Sequence, residues 1–260
     1  MKKLALILTV SSLLWVAAKP RAEGRGTPPA RQAGTAETTP PGWKEAKSQA
    51  LDLTLSGKDL EAIALYEKWV ARYPSFAEAH FMLGAAHESA GRATIGSRVP
   101  DARASREQHY DAAILHMRRG LELAGRRAPF DWMRGFIDIH GVVGVDRPAE
   151  YERLVREAVA RYPAEPHAHA YLIALLAQQG QPIAAAAGAA RAAIPKTADA
   201  RVALAGSLAA FVTDFGRLTA SGAQALLAEA SSLVDEALKM KPGDEGAVWT
   251  RARIEQLHKR

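Results

Sequence analysis

The pentapeptide Val-Ala-Arg-Tyr-Pro occurs twice in this chain of 260 residues, at positions 70–74 and 159–163. In both places the sixth residue after the proline is a histidine preceded by alanine: His80 in the first copy and His169 in the second. A segment rich in alanine and leucine follows each of them. A motif that returns together with its downstream context indicates an internal repeat, which constrains the fold more than any other feature of the sequence.

Each repeat is predicted to contain two helices. In residues 43–74, apolar side chains recur at intervals of three and four residues on both sides of Ser56-Gly57, which is the pattern of two amphipathic helices joined by a turn. Pro74 ends the second helix, because proline cannot continue it. Alanine, the best helix former, is abundant along the whole chain. The sequence therefore predicts a series of helical hairpins.

The hairpins resemble tetratricopeptide (TPR) repeats. The residues that carry the resemblance are Leu83-Gly84, His87 and Gly91 in a first helix, and Ala62, Tyr66, Trp69 and Pro74 in a second helix. In that family these positions lie where paired helices approach most closely. The resemblance covers residues 43–260 and implies an all-α, right-handed solenoid of antiparallel helix hairpins, with about five hairpins and a closing helix.

The spacing of the two motifs predicts an insertion. The copies begin 89 residues apart, whereas two repeats of about 34 residues would place them about 68 apart. Residues 92–108 fit a loop-like insertion, after which the second helix resumes at about Tyr110. The segment carries Arg92, Arg98, Arg103 and Arg106. A basic loop of this kind would contact an acidic partner, anionic lipid or a cell-wall polymer; the alternative is a mobile, solvated loop.

The amino terminus has the three-part form of a secretory signal peptide. Lys2 and Lys3 precede an apolar stretch that ends in Val-Ala-Ala at residues 16–18, so cleavage after Ala18 is expected. The stretch is shorter than the roughly 20 residues that cross a bilayer. We therefore predict export, to a bacterial periplasm. The alternative is an uncleaved segment that anchors the protein in the inner membrane.

Residues 19–42 are rich in Pro, Gly, Thr and Ala and show no apolar periodicity, so they are predicted to form a disordered linker. The formal net charge of the chain is +6, and its Lys and Arg residues are interspersed with Asp and Glu. This pattern does not favour a nucleic-acid partner. Cysteine is absent from the sequence, which excludes disulfide bonds and thiolate metal sites.

The sequence contains no motif of a metalloprotease, phosphate loop, nucleophile elbow or EF-hand, so no catalytic residue and no cofactor is predicted. Histidines are the most plausible metal ligands. However, His80 and His87 are two helical turns apart on one helix, about 10 Å along its axis, and His109 and His116 repeat that spacing. We therefore predict structural histidines and no metal site.

The resemblance to TPR arrays implies that the first helix of each hairpin lines a concave groove that binds a protein or peptide. The candidate groove residues in this register are Lys44, Lys47, Glu78, Phe81, Glu88, Phe136, His140, His167 and Gln178. Phe81 and Phe136 would be the anchors, with core packing as their alternative role. The chain contains no Asn, so it lacks the Lys, Asn and Arg constellation with which the family's best-known members clamp a peptide carboxylate.

The predicted function is that of an exported, non-catalytic TPR-like scaffold whose partner is not identified by the sequence. One alternative is a membrane-anchored accessory in envelope assembly or secretion. Another is a helical enzyme that acts on cell-wall material, which would require a cleft containing a perturbed pair of carboxylates. Asp131 and Asp138 are the candidate acids for such an enzyme.

Overall fold

A computed structural model describes residues 39–95, 101–141, 144–214 and 218–259 of the chain. Its α-helices are α1 (Trp43–Leu55), α2 (Asp59–Arg72), α3 (Ala77–Ala93), α4 (Ala102–Ala124), α5 (Phe130–His140), α6 (Pro148–Arg161), α7 (Pro166–Gln178), α8 (Ala184–Ala193), α9 (Ala198–Asp214), α10 (Ala220–Met240) and α11 (Glu245–His258). No strand occurs in these ranges. The predicted signal peptide and nearly all of the predicted linker lie outside them.

Successive helices pack against each other in pairs. The hairpins are α1–α2, α3–α4, α5–α6, α7–α8 and α9–α10, and α11 packs on both helices of the last pair. The connections between paired helices are short, so each second helix runs back along the first. Within the described residues this confirms an all-α fold with five hairpins and a closing helix.

The repeated pentapeptide has the same structure in both places. The preceding helix ends at Tyr73 in the first copy and at Tyr162 in the second, with nearly equal backbone angles (φ −132°, ψ 69° and φ −126°, ψ 61°). The histidine that follows then contacts the proline carbonyl through its ring Nε2. The distance is 3.0 Å from His80 to Pro74 and 2.8 Å from His169 to Pro163. The histidine thus ties the start of each new hairpin to the end of the previous one.

The closest helix pair is α3–α4. A Cβ atom added at Gly84 would lie 2.8 Å from the backbone nitrogen of Met117 and 2.9 Å from the carbonyl oxygen of Ala113. One added at Gly120, on the opposite helix, would lie 2.9 Å from the backbone nitrogen of Phe81. Only glycine fits at these two positions, because the neighbouring atoms belong to the backbone and cannot move aside.

In the described part of the expected loop between residues 92 and 108, residues 92–93 and 102–108 are helical, so the prediction of a loop at these positions is wrong. Helix α3 continues to Ala93, and α4 begins at Ala102, about two turns before the predicted restart. The additional residues therefore lengthen this hairpin: α3 has 17 residues and α4 has 23. The side chains of the early α4 turns support the extension, since Arg103 and Glu107 form an i,i+4 ion pair on its surface.

Two hydrophobic clusters fill the interior. The first joins α1, α2 and α3 around the buried ring of Trp43, which meets Trp69 and Phe76 edge to face. The second runs from α3 to α11. None of the described helices combines the length and the apolar character needed to cross a bilayer.

Candidate partner-binding groove

The first helices of consecutive hairpins contact each other along one side of the array. On α3, residues 78, 81, 85, 88 and 92 recur at intervals of three and four, so they share one face of the helix. That face contacts α1 on one side and α5 on the other. We define the groove strip as Lys47, Glu78, Phe81, Glu88, Arg92, Trp132, Asp138 and Tyr171. Five of these eight were predicted from the sequence, four as groove residues and Arg92 as a loop residue.

The first part of the strip joins α1 to α3. The carboxylate of Glu78 accepts a hydrogen bond of 2.7 Å from the indole nitrogen of Trp43 and another of 2.7 Å from Lys47. The side chains of Lys47 and Glu78 are 37% and 29% exposed, so they remain accessible to a ligand. The indole contact fixes the carboxylate, because Trp43 itself is buried in the core. Lys44 lies exposed nearby on α1.

The second part is aromatic and joins α3 to α5. The rings of Phe81 and Trp132 are stacked with their centroids 4.6 Å apart and their planes at 2°. Phe81 and Phe136 are only 7% and 3% exposed, so both are core side chains and neither is an exposed anchor. Phe136 packs against His140 instead, with centroids 4.7 Å apart. Trp132 is the aromatic ring that stays partly exposed in this part of the strip.

The third part is polar and joins α3, α5 and α7. Two nitrogens of Arg92 donate to one oxygen of Glu88 at 2.9 and 2.5 Å, and the Glu88 side chain is only 15% exposed. On the facing helices, the hydroxyl of Tyr171 donates to the carboxylate of Asp138. Asp138 is also close enough to Arg92 and Glu88 to affect their charge. Four polar side chains from three first helices therefore meet in one place.

Burial has the largest effect on the pKa values of the two carboxylates in this group, Glu88 and Asp138. It raises the pKa of Glu88, and the neighbouring Arg92 only partly offsets that effect. Burial also raises the pKa of Asp138, against the opposing influence of Tyr171, Arg134 and Arg92. Both carboxylates are thus harder to ionise than free ones, although Arg92 acts on both of them. A cationic group from a partner would stabilise their charged forms.

His140 and Gln178 come together elsewhere, at the carboxyl ends of α5 and α7. They line a cavity of about 330 Å³, which Tyr151 and Glu152 of α6 also border. His140 is fully buried, and its Nδ1 lies 2.7 Å from the carbonyl oxygen of Phe136. Burial lowers the pKa of His140. His167 lies apart from this cavity, at the start of α7, where its Nδ1 contacts the carboxylate of Glu165 at 2.8 Å.

The arginines of the predicted insertion do not form one basic loop. Arg92 turns toward Glu88 in the groove strip. Arg103 and Arg106 lie in the first two turns of α4, where Arg103 pairs with Glu107 on the surface. Arg98 lies outside the described residues. The described part of this segment therefore contains paired charges on helices.

Sequence reasoning did not identify Trp132 and Tyr171 as groove residues. Trp132 lies one helical turn before Phe136, a predicted groove residue on the same helix, and this spacing is the signal that could have identified it. Tyr171 is the only residue of α7 with a hydroxyl group, in a helix otherwise made mainly of Ala and Leu; this contrast is the signal that could have revealed it. Asp138 was considered only as a catalytic acid, since its neighbours on α3 and α7 are distant in sequence.

Two solved structures of TPR proteins are similar in fold to this chain. Over 80% of this chain and 90% of the other, the fold is similar to that of YrrB, described as a TPR protein with an unusual peptide-binding site, at 15% identity and a TM-score of 0.39. Over 84% and 99%, it is similar to TTC0263, described as a thermophilic TPR protein in Thermus thermophilus, at 16% identity and a TM-score of 0.43. No family model matches the chain. No curated protein matches it either.

Proposed function

We propose that this protein is an exported, non-catalytic scaffold that binds an extended segment of a protein partner through the groove strip. One observation carries the proposal. Polar and aromatic side chains from α1, α3, α5 and α7 meet along one side of the array, where packing alone would be served by apolar residues. Among them, Lys47, Glu78 and Trp132 stay partly exposed. Groups placed in this way are suited to recognition, because each can exchange an internal contact for one with a ligand.

The chemistry of the strip favours a partner segment with a basic side chain. A Lys or Arg that enters between α3 and α5 would place its aliphatic stem on the Trp132 ring and its charge beside Glu88 and Asp138. This contact would add a cation beside the two carboxylates, whose pKa values stay raised although Arg92 acts on both and Arg134 on Asp138. The position of the site on the first helices agrees with a concave binding face.

The test is selection from a random peptide library with the full-length protein, followed by fluorescence anisotropy on the selected peptides. We expect peptides enriched in Lys and Arg. The Asp138→Asn variant removes one carboxylate charge with little change in volume, and it should weaken their binding about tenfold or more, as expected for a charge-assisted contact.

The matched control is Asp111→Asn. This is the same chemical change on the surface of α4, where Asp111 pairs with Arg147 at 3.1 Å outside the groove strip. It should leave peptide affinity unchanged. If the two variants bind the selected peptides equally well, the groove strip is not the binding site.

Export belongs to the proposal and depends on residues 1–18 as a signal peptide. The alternative accessory function would retain this segment as a membrane anchor. The intact mass of the protein recovered from the native cell envelope separates the two, because cleavage after Ala18 removes the first 18 residues. A mass that includes them would support the anchored form.

One observation favours the enzyme alternative, namely that Glu88 and Asp138 are neighbouring carboxylates whose pKa values are both raised by desolvation. Asp131, the other candidate acid, lies exposed and 3.6 Å from Arg134. A catalytic pair predicts release of soluble fragments from purified cell-wall material by the wild-type protein and loss of that activity in Asp138→Asn. Release that persists in the variant would exclude this pair as the catalytic group.

A further inference from the structure

Four histidines form a ladder between α3 and α4. His80 and His87 lie on α3, and His109 and His116 lie on α4. His80 faces His116 with their Nδ1 atoms 3.3 Å apart, and His87 faces His109 with their Nδ1 atoms 3.0 Å apart. The His116 ring also lies parallel to that of His87, at 6.2 Å between centroids. Two helices therefore bring together residues that are two turns apart on each of them.

These distances are those of neighbouring ligands on one metal ion. Two imidazole nitrogens that each lie about 2.1 Å from an ion are about 3.0 Å apart at an angle of 90° and about 3.4 Å apart at the tetrahedral angle. Both pairs of the ladder fall in this range. The spacing of the histidines along each helix does not reveal these pairs, because each pair forms across two helices.

The two pairs differ in the room they leave for an ion. His80 is 8% exposed, and its Nε2 is occupied by the Pro74 carbonyl. His87 and His109 are both partly exposed, so water can complete a coordination sphere there.

We propose that His87 and His109 bind one divalent transition-metal ion of the zinc type through their Nδ1 atoms, with water in the remaining positions. In the free protein one Nδ1 of the pair carries the hydrogen that the other accepts. Binding requires that this proton move to the Nε2 of the same ring, which leaves both imidazoles neutral and both Nδ1 lone pairs available. Among the described residues no group of three or more His, Asp or Glu is arranged around one ion, so the site has two protein ligands.

The proposed ion would link α3 to α4 within the longest hairpin. His87 lies past the middle of α3, and His109 lies two turns into α4, directly after the additional residues 92–108 of this repeat. The ion would therefore stabilise the part of α4 that extends beyond the ordinary TPR length. This role is separate from the groove strip, because the proposed ligands His87 and His109 are not among its residues.

The test is calorimetric titration of Zn²⁺ into the full-length protein at pH 7.5, with the melting temperature measured in parallel. We expect one ion per chain and a rise in melting temperature of a few degrees when Zn²⁺ exceeds its dissociation constant about 100-fold. In His109→Gln the affinity should fall at least tenfold and the rise in melting temperature should disappear. Circular dichroism checks that the variant is folded.

Two controls keep the assignment falsifiable. His258→Gln removes an exposed histidine of α11 and should leave zinc binding unchanged. His116→Gln should retain affinity within about twofold, because His116 is not a proposed ligand. The proposal is overturned if the wild-type protein binds no Zn²⁺ at millimolar concentration, if His109→Gln and His258→Gln bind alike, or if only His116→Gln loses the ion.

Discussion

The second and fourth hairpins begin with the same motif and are completed in different ways. Both follow the Val-Ala-Arg-Tyr-Pro end of a helix, and both use a histidine to bind the proline carbonyl. In the second hairpin the long helix α4 packs backbone to backbone on α3 at Gly84. In the fourth, α8 has only ten residues, mostly alanine. The shared motif therefore fixes where a hairpin starts, and other residues decide how its second helix is held.

The fourth hairpin compensates for its short second helix with contacts from α10. Gly222 of α10 lies against the carbonyl oxygen of Ala177 of α7, where an added Cβ would be 2.7 Å away. Arg191 of α8 is 2.5 Å from Glu229 and 2.8 Å from Glu236, both on α10. The ion pairs thus hold α8 by joining it to the next repeat. In the second hairpin, hydrophobic packing between α3 and α4 has this role.

Glycine substitutions should give the largest difference between the two hairpins. Gly84→Ala places a methyl group against the backbone of α4, so we expect a loss of about 3 kcal/mol in the free energy of unfolding. Gly188→Ala in α8 meets no atom within 4 Å and should stabilise the protein by about 0.5–1 kcal/mol, because alanine is the better helix former. Urea denaturation of both variants measures the two values. If both substitutions change the free energy of unfolding in the same direction, the proposed difference in packing is contradicted.

Removing an ion pair should reduce stability more in the fourth hairpin than in the second. Arg191→Met removes the cation that Glu229 and Glu236 share and leaves Glu236 its pair with Arg201. We expect a loss of about 2 kcal/mol, since the Arg191 side chain is only 25% exposed. Arg103→Met breaks the pair on α4, where the Arg103 side chain is 84% exposed, and should cost less than about 0.5 kcal/mol. Thermal unfolding at low and high salt separates them, because only Arg191→Met should remain strongly destabilising at high salt.

Replacing either of the two histidines that contact a proline carbonyl should reduce stability, by similar but unequal amounts. His80→Leu and His169→Leu each remove the donor to a proline carbonyl, which should cost about 1–2 kcal/mol. His80→Leu should be the more destabilising of the two, because His80 also contacts His116. The two sites lie in different repeats, so the double variant should show additive effects. A clearly larger loss in His169→Leu would show that the motif has different roles in the two hairpins.

The histidine ladder should make stability depend on pH through the second hairpin. The pKa of His87 is about 4 in the folded protein, against an ordinary value of 6.5, because of burial and of His109 and His116. The unfolded chain therefore binds a proton before the folded protein does as the pH falls, and stability should decrease between pH 6.5 and 4. We expect about 1 kcal/mol after allowance for solvent screening.

The fourth hairpin supplies the control for this prediction, because Leu176 stands there at the position of His87. His87→Leu should reduce the decrease in stability over this pH range, measured by urea denaturation at pH 7.5, 5.5 and 4.5 without added metal. A pH dependence identical to that of the wild-type protein would show that other groups are responsible.

The sequence by itself determined the class of fold and the boundaries of the hairpins. Apolar residues at helical spacing, the stop at Pro74 and the small residue Gly84 are local signals, because helix periodicity and close packing require particular residue types at particular places. Together with the resemblance to TPR repeats, these signals predicted about five hairpins and a closing helix. The register of that resemblance also predicted Lys47, Glu78 and Glu88 as groove residues.

The tertiary structure alone decided which of these residues meet. The burial of Phe81 and Phe136, the partial exposure of Trp132, and the meeting of Arg92 with Asp138 all depend on how first helices of different hairpins are placed. The histidine pairs depend in the same way on the register between α3 and α4. Local sequence fixes the face of a helix on which a side chain lies, whereas the partner on the neighbouring helix is set by long-range packing.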